Sequence, residues 1–287
     1  MRSLFSSILL LLFGLQNLAV SAVKPVSNVE DLRAILATAG EGEVIELAAG
    51  EYQLTESLVV RGGVSLRGAG AGKTIIRPAP TWVPSTQSLP DPEVKIKGLD
   101  SSAYLIRLED KAENIAISHL TLEGPAVHGA IFGFGNQQVE LHHLHIENVL
   151  YCGIRSLGWK QANIHDCEFV DAGGKWKRGG VPGVDGGICG GAIFVTWISD
   201  SEIWNNRISR TIEGKERSHF GIKGRQGKRC KIHHNTINVN FSIEFPFEGD
   251  QDMEIHHNVL HGVVSIPKYA GGKVPESGRT FHIHHNY

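Results

Sequence analysis

A repeated four-residue motif constrains the fold of this chain more than any other feature. The motif is an aliphatic residue, two polar residues and an asparagine, and it occurs at residues 232–235, 255–258 and 283–286. Looser copies lie upstream, at residues 117–120, 141–144, 164–167 and 203–206. A unit this short cannot bury its own apolar face, so the repeats must stack on one another, and the motif predicts a solenoid.

Each repeat contains further short apolar segments. Residues 236–237 follow the motif directly, and residues 242–245 form another segment before the next repeat begins. The segments are rich in Val, Ile and Phe and are bounded by Gly or Asn, as expected for strands. Three short strands per repeat predict an all-β fold, a parallel β-helix.

Strand alternation assigns a direction to the side chains of the motif. Ile232 should point into the coil and His233 out of it, and the same holds in the other repeats. Four asparagines should align inside one corner and bond neighbouring coils as a ladder: Asn206, Asn235, Asn258 and Asn286. The outward histidines could form a metal site or a stacked, solvated edge. The motif contains no arrangement of one acid and two histidines typical of a metal site, so the stacked edge is favoured.

The N-terminal residues have the pattern of a secretory signal peptide. Residues 1–22 contain an apolar stretch at 8–13 and small residues at 20–22. No apolar stretch is long enough to span a bilayer, so we expect a soluble, secreted or periplasmic protein without a membrane partner. Residues 23–287 are expected to form one β-helix domain and a monomer. Because Tyr287 falls inside a repeat, the β-helix is expected to continue beyond it.

The start of the mature chain is expected to close the solenoid. Residues 26–39 have apolar positions at helical spacing, and Ser27 or Asn28 could cap the helix. An amphipathic helix here would cover the first coil, which residues 44–70 should form. Glycines at 68, 70 and 72 lack the spacing of a phosphate-binding loop and indicate turns.

Longer connections are expected at three places. Residues 78–100 contain five prolines and should leave the regular coil. The third connection of the coil is expanded at residues 171–190 and again at 211–219. Functional residues concentrate on such loops when a rigid scaffold holds them on one side.

Two of the four cysteines are expected to be core residues. Cys167 replaces Asn in the ladder, and Cys230 should point into the coil. Cys152 and Cys189 occupy the same kind of connection on consecutive coils. An exported protein could bridge them, but the sequence leaves their pairing open.

These features together resemble the pectate-lyase-like superfamily of right-handed parallel β-helix proteins. The resemblance rests on the capping helix, residues 42–50, the turn at 68–70, the asparagine ladder and the variable third connection. It implies a groove along the outer face of the first strand of each coil, walled by the third connections. Members are mainly lyases or epimerases of acidic polysaccharides, and others are glycoside hydrolases, esterases or proteins without known activity. The fold alone does not select among these functions.

The ladder register predicts which residues face that groove. First strands are expected at residues 130–134, 153–157, 192–197, 221–225, 242–247 and 264–269. Their outward residues should be Phe132, Phe134, Arg155, Phe194, Thr196, Lys223, Arg225, Glu244 and Tyr269. Coils lie about 4.8 Å apart, so Lys223 and Glu244 should be neighbours.

The charge distribution favours an anionic polymer as partner. Without the leader, 27 basic residues face 30 acidic ones, so the net charge alone selects no partner. Residues 207–231, however, contain nine Lys and Arg against two Glu. A basic belt in a mildly acidic protein should attract an acidic polysaccharide. Export and the scarcity of aromatic residues among the basic ones argue against nucleic acid.

A polysaccharide lyase acting by β-elimination is the favoured function. Such an enzyme must neutralise a uronate carboxylate, remove the adjacent carbon-bound proton and protonate the leaving oxygen. Lys223 is the candidate base, and Arg225 or Arg155 could hold the carboxylate bidentately. His219 or Tyr269 could donate the proton.

A calcium ion and two aromatic residues complete the predicted site. Glu244, Glu248 and Asp250 offer the hard oxygen ligands that Ca²⁺ prefers, and the ion would neutralise the same carboxylate. Acidic residues are also common in turns without a metal. Trp176 and Tyr269 could stack on sugar rings, although a loop Trp often packs within its own loop.

Other functions stay open. Lys223 and Glu244 could form only a cross-coil ion pair. The strands lack the signature of two acids separated by one residue, plus Lys, that is associated with alginate lyases and chondroitinase B. A glycoside hydrolase would need paired carboxylates, for which Glu244 with Glu248 or Asp250 is the candidate set. An epimerase and a non-catalytic carbohydrate-binding or surface solenoid are the remaining alternatives.

Overall fold

A computed structural model describes residues 24–82, 104–125, 127–176, 188–211, 220–245, 249–266 and 280–287. The predicted leader, most of the proline-rich segment and much of the two expanded connections lie outside these ranges. The described strands form three parallel sheets, and each coil contributes one strand to each sheet in turn. The all-β parallel β-helix predicted from the repeat is confirmed.

The first strands of the coils form sheet 1. Its eight strands are β4 (Leu58–Val60), β7 (Tyr104–Leu108), β10 (Gly129–Phe134), β13 (Cys152–Leu157), β18 (Ile193–Thr196), β21 (Phe220–Arg225), β24 (Phe241–Glu244) and β27 (Val263–Ser265).

The strands that carry the motif form sheet 2. Its ten strands are β1 (Lys24–Val26), β2 (Val44–Leu47), β5 (Ser65–Arg67), β8 (Glu113–Ser118), β11 (Gln137–His142), β14 (Asn163–His165), β19 (Glu202–Trp204), β22 (Lys228–His233), β25 (Gln251–His256) and β28 (Phe281–His284).

The strands that follow the asparagine corner form sheet 3. Its eight strands are β3 (Gly50–Leu54), β6 (Thr74–Pro78), β9 (Thr121–Glu123), β12 (His145–Glu147), β15 (Glu168–Val170), β20 (Arg207–Ser209), β23 (Thr236–Asn238) and β26 (Val259–Leu260). A separate antiparallel pair consists of β16 (Lys175–Trp176) and β17 (Ile188–Cys189).

Strand alternation places the core as expected. Ile232 pairs in register with Ile203 on one side and with Ile255 on the other, and all three are buried. Identical aliphatic residues therefore stack from coil to coil inside the helix. Burying these side chains supplies the main driving force for stacking.

The asparagine ladder forms inside the corner between sheets 2 and 3. Asn206 Nδ2 donates to Asn235 Oδ1 at 3.0 Å, and Asn235 Nδ2 donates to Asn258 Oδ1 at 3.0 Å. Asn258 Nδ2 in turn donates to Asn286 Oδ1 at 2.9 Å. Cys167 occupies the next rung, where its backbone N–H donates to Asn206 Oδ1 at 3.1 Å. The predicted ladder is confirmed.

The N-terminal helix α1 (Val29–Thr38) packs Leu32 and Leu36 into the core. Asn28 caps it, because its side chain accepts a hydrogen bond from the Asp31 N–H at 2.8 Å. The capping helix is therefore confirmed, and the sequence alternative Ser27 is not the cap.

One boundary of the first coil was predicted wrongly. Residues 44–60 already supply one strand to each sheet, as β2, β3 and β4, whereas residues 65–67 form β5, which pairs with β2 and belongs to the next coil. Gly70 and Gly72 have positive φ angles of 134° and 74° and lie in turns, as expected. The proline-rich excursion starts later than predicted, since Pro78 is still the last residue of β6.

Three of the cysteines are free and buried. Cys152 is a free and fully buried thiol, so the bridge to Cys189 that the sequence allowed is not formed. Burial raises the pKa of Cys152 to about 11 and that of Cys167 to about 12. Burial likewise raises the pKa of Cys230 to about 11. These thiols behave as small core residues.

Within the described part of the chain, no helix has the length and apolar character needed to cross a membrane.

Candidate functional site

The outer face of sheet 1 carries one row of side chains that changes its chemistry from coil to coil. Strand pairing puts five residues in register, each opposite the next. We call them the sheet 1 row: Phe132, Arg155, Phe194, Lys223 and Glu244. The predicted register of the row is confirmed, because alternation along each first strand follows from the ladder.

The first three residues of the row are covered. Phe132, Arg155 and Phe194 keep only 4%, 1% and 3% of their surface exposed. The two phenylalanines pack with four other residues in a second apolar cluster outside the coil: Tyr104, Tyr151, Cys152 and Leu157. The predicted groove is therefore filled along these coils, because residues from neighbouring coils close over the face.

The Arg155 side chain is held by contacts with other protein groups. Its Nη1 donates to the Ser156 carbonyl at 2.8 Å, and to Thr196 Oγ1 at 3.1 Å. Its guanidinium lies 4.0 Å from the centre of the Phe194 ring. The structure thus does not place Arg155 where a substrate carboxylate could reach it, contrary to its predicted role.

Lys223 and Glu244 form the partly open end of the row. Lys223 Nζ lies 3.3 Å from Glu244 Oε2, and the two side chains are 13% and 14% exposed. The ammonium lies 4.4 Å from the centre of the Phe220 ring and 5.4 Å from that of Phe194. Phe220 in turn stacks on Phe241 at 4.9 Å. Aromatic rings thus displace water from one side of the pair, which strengthens its electrostatic interactions.

Arg225 shares the face of β21 with Lys223. It lies two residues after Lys223, so both side chains point outward, and it is opposite Thr196 in the register. Arg225 is half-buried. The structure therefore brings together Lys223, Arg225 and Glu244 among the predicted site residues.

The predicted calcium ligands are not all on this face. Asp250 is fully buried, and its Oδ1 accepts a hydrogen bond from the Gly227 N–H at 2.8 Å, inside the corner between sheets 1 and 2. Asp250 is therefore not a partner for the outward Glu244, either as a calcium ligand or as a second catalytic carboxylate. Glu248 lies outside the described residues. Within the described ranges, no group of three or more His, Cys, Asp or Glu could hold a metal ion.

Three other predicted site residues cannot be placed. His219 and Tyr269 lie outside the described residues, as does the side chain of Trp176, although its backbone belongs to β16. Their roles stay predictions.

Trp197, which directly follows β18, was not among the predicted site residues. It is 39% exposed and has a φ of 56°. Its indole N–H donates to the side-chain oxygen of Gln226. A cleft of about 420 Å³ lies beside it. The available signal was a Trp at a position where three other repeats have Gly, at residues 135, 158 and 249.

The outward histidines form the expected stacked edge. On sheet 2, His233 stacks on His256 at 4.9 Å, and His256 stacks on His284 at 5.1 Å. A second row beside it stacks His234 on His257 at 5.2 Å. Within each coil the two rows touch through their Nδ1 atoms, 2.8 Å apart for His233 and His234.

The chain belongs to the right-handed β-helix family, since the family model described as "Right handed beta helix region" matches residues 129–287. The expected superfamily and the handedness of the coil are confirmed. A search of curated proteins finds no match.

Several solved structures share the fold. An alginate lyase from Paenibacillus sp. str. FPU-7 is 13% identical with a TM-score of 0.59, over 92% of this chain and 94% of that one. PfbA, a surface adhesin of Streptococcus pneumoniae, is 14% identical with a TM-score of 0.59. That match covers 80% of this chain and spans 57% of the adhesin. AlyGC, a PL6 family alginate lyase, is 16% identical with a TM-score of 0.52, over 92% of this chain and 39% of its own. Identities this low establish the fold alone.

Proposed function

We propose that this protein is a secreted polysaccharide lyase that cleaves an acidic, uronate-containing polysaccharide by β-elimination. The pair Lys223–Glu244, held at 3.3 Å beside Arg225 on the outer face of sheet 1, is the observation that carries the proposal. Two alginate lyases with the same fold support the choice of substrate class. The leader pattern of residues 1–22 supports export.

The three charged groups divide the reaction between them. Arg225 holds the uronate carboxylate through two parallel hydrogen bonds and spreads its negative charge. Lys223, as a free amine, takes the proton from the adjacent carbon. The electron pair of that C–H bond forms the new carbon–carbon double bond, and the bond to the leaving oxygen breaks. His219 or Tyr269 protonates that oxygen.

Glu244 holds the Lys223 side chain in place on the outer face of sheet 1. An ammonium has no lone pair, so Lys223 must lose its proton to solvent before it can act as the base. The Glu244 carboxylate lies 3.3 Å away, closer than an ordinary solvent-separated partner. The aromatic rings of Phe220 and Phe194 pack against another side of the Lys223 ammonium and limit its freedom to move.

A non-catalytic carbohydrate-binding solenoid is the second candidate. Lys223 lies directly opposite Glu244 on adjacent strands, which is also the geometry of an ordinary cross-strand ion pair. An adhesin shares the fold. The hydrolase alternative is weaker, because Asp250 is bound inside the corner and leaves only Glu248 as a second carboxylate.

The test is the ultraviolet absorbance of the unsaturated uronate product. Alginate, pectate and glycosaminoglycans are supplied in turn, with and without Ca²⁺. We expect a rise with the wild-type protein and a loss of about 100-fold or more in Lys223→Ala. Lys231→Ala is the matched control, since Lys231 forms a similar cross-coil pair with Glu202, 3.8 Å apart, on sheet 2.

The outcomes separate the candidates. An absence of product with every polymer, while binding is intact, would contradict the lyase and favour the binding solenoid. An equal loss of activity in Lys223→Ala and Lys231→Ala would show that the effect comes from the fold. Dependence of activity on Ca²⁺ would support the predicted metal.

A further inference from the structure

One backbone position at the end of sheet 1 is left-handed in successive coils. It is occupied by Lys111 (φ 61°), Gly135 (φ 69°), Gly158 (φ 71°), Trp197 (φ 56°), Gln226 (φ 54°) and Gly249 (φ 94°). Glycine adopts positive φ without steric cost, and three of these six residues are glycine. Trp197 is the aromatic residue among them, and its bulky side chain makes the left-handed backbone costly.

Burial does not compensate for the strain at Trp197. The residue is 39% exposed, whereas Trp159 in the preceding coil is fully buried inside the corner. The hydrogen bond from its indole N–H to the Gln226 side chain holds the ring in place. Other corner residues such as His234 and Gln226 share this backbone conformation, so it is the exposed ring in a fixed orientation that points to a function.

The surroundings of Trp197 suit a sugar. The cleft beside it, about 420 Å³, is lined by two amide side chains, a hydroxyl and an ammonium. These polar groups belong to Gln226, Gln251, Ser199 and Lys228. A pyranose ring has an apolar C–H face, which can stack on an indole, and hydroxyl groups around its rim, which amides and hydroxyls can bind.

The cleft also has the charge and the position for an acidic sugar. Lys228 is exposed and, among the residues described by the structure, forms no ion pair. Gln226 directly follows Arg225, and the Trp197 N–H donates to the Arg225 carbonyl at 2.9 Å. The cleft therefore adjoins the end of the strand that carries Lys223. It spans three coils, or about 10 Å.

We propose that Trp197 and this cleft form a binding subsite for an acidic sugar residue, stacked on the indole, with its carboxylate at Lys228. The subsite extends the face of Lys223 around the corner between sheets 1 and 2. Its ligand class rests on the proposed function, since the same polymer would occupy both places.

Trp197→Gly tests the subsite, because it places in this coil the residue found at positions 158 and 249. Binding of a hexamer of polymannuronate is measured by titration calorimetry, with Lys223→Ala present in every protein compared, the reference included, so that the hexamer is not cleaved; unfolding is measured by a thermal scan. We expect the dissociation constant to rise about tenfold or more, the size of a lost aromatic contact. The melting temperature should stay the same or rise, since the backbone strain is relieved.

Trp204→His is the matched control. Trp204 is stacked between His165 and His233 on sheet 2, so histidine fits its row. This variant should bind the hexamer like the wild type. Lys228→Gln should weaken binding of the hexamer, while binding of a neutral maltohexaose stays weak in all variants.

The results distinguish the subsite from the proposed function. If the wild type binds the hexamer and Trp197→Gly binds it equally well, the subsite is wrong and the proposed function stands. If the wild type binds neither the hexamer nor any of the acidic polymers of the absorbance test, both are wrong. Binding of maltohexaose as tight as that of the hexamer would overturn the preference for acidic sugars. A lower melting temperature in Trp197→Gly, with binding unchanged, would show that the indole serves packing.

Discussion

Two regions of the same coil follow opposite rules. In the corner between sheets 2 and 3, the same residues recur in successive coils, as in Asn235 and Asn258 inside and His233 and His256 outside. In the sheet 1 row, each residue differs from the one in register with it in the next coil. Identical side chains recur where each one binds its own copy in the next coil. In the sheet 1 row, residues do not bind copies of themselves, so this row is the stronger candidate for a functional site.

The inner ladder should produce the largest effect when it is broken. Asn235 Nδ2 donates to Ile203 O at 2.9 Å and to Asn258 Oδ1 at 3.0 Å, and its Oδ1 accepts from the Asn206 N–H at 3.0 Å. Asn235→Ala leaves several buried groups without partners and should lower the free energy of unfolding by about 3 kcal/mol or more. Urea denaturation measures this change in the free energy of unfolding.

Asn238→Ala is the control for this variant. Asn238 is exposed on β23 in the same coil, and its change should stay within about 0.5 kcal/mol. A similar loss in both variants would mean that the ladder is not what holds the corner.

The two arginines of the sheet 1 face should separate stability from function. Arg155 is buried and bonded to protein oxygens, so Arg155→Ala should cost about 2–4 kcal/mol of stability through lost hydrogen bonds and a cavity. Arg225 is half-buried beside Lys223. Arg225→Ala should change stability by less than about 1 kcal/mol and raise the KM for the acidic polymer about tenfold or more.

Urea denaturation and steady-state kinetics on both variants check this division. A rise in KM for Arg155→Ala at unchanged stability would restore the role first assigned to Arg155 and contradict its structural one.

The same contrast explains what the sequence could predict. Asn235 was readable because its copies recur at a regular interval, and the outward direction of Lys223 follows from the ladder by simple alternation. The burial of Arg155 was not readable, because it depends on rings from other coils: Phe194 lies 4.0 Å from its guanidinium and belongs to the same apolar cluster as Tyr104.

The directions of side chains in corners after a variable connection were equally unpredictable from the sequence. Asp250 turns inward to the Gly227 N–H, and strand alternation does not fix its direction because it lies in the connection between β24 and β25. The importance of Trp197 depends on a comparison with Gly158 and Gly249 at the same backbone position. Local pattern therefore predicts repeated contacts well and predicts unique ones poorly.

The outer histidine edge should give the smallest effect, and one that depends on pH. Burial, together with the charges of neighbouring histidines, lowers the pKa of His256 against the opposing effect of Glu254. Burial also lowers the pKa of His233, although Glu202 raises it. A lowered folded-state pKa means that the unfolded chain binds protons first, so stability is complete at neutral pH and falls as the pH drops below about 6.5.

Replacing His234 and His257 by Asn should flatten this acid dependence. Asn205 occupies the same left-handed position with a φ of 51°, and His234 has a φ of 56°, so the backbone accepts the change. The Nδ1 contacts at 2.8 Å from His233 to His234 and from His256 to His257 are then removed. Each of these contacts requires that one of the two Nδ1 atoms carries no proton. The contact is lost when both rings are protonated. Melting temperatures measured from pH 8 to pH 5 should fall less steeply in the double variant; an unchanged slope would assign the acid sensitivity to other groups.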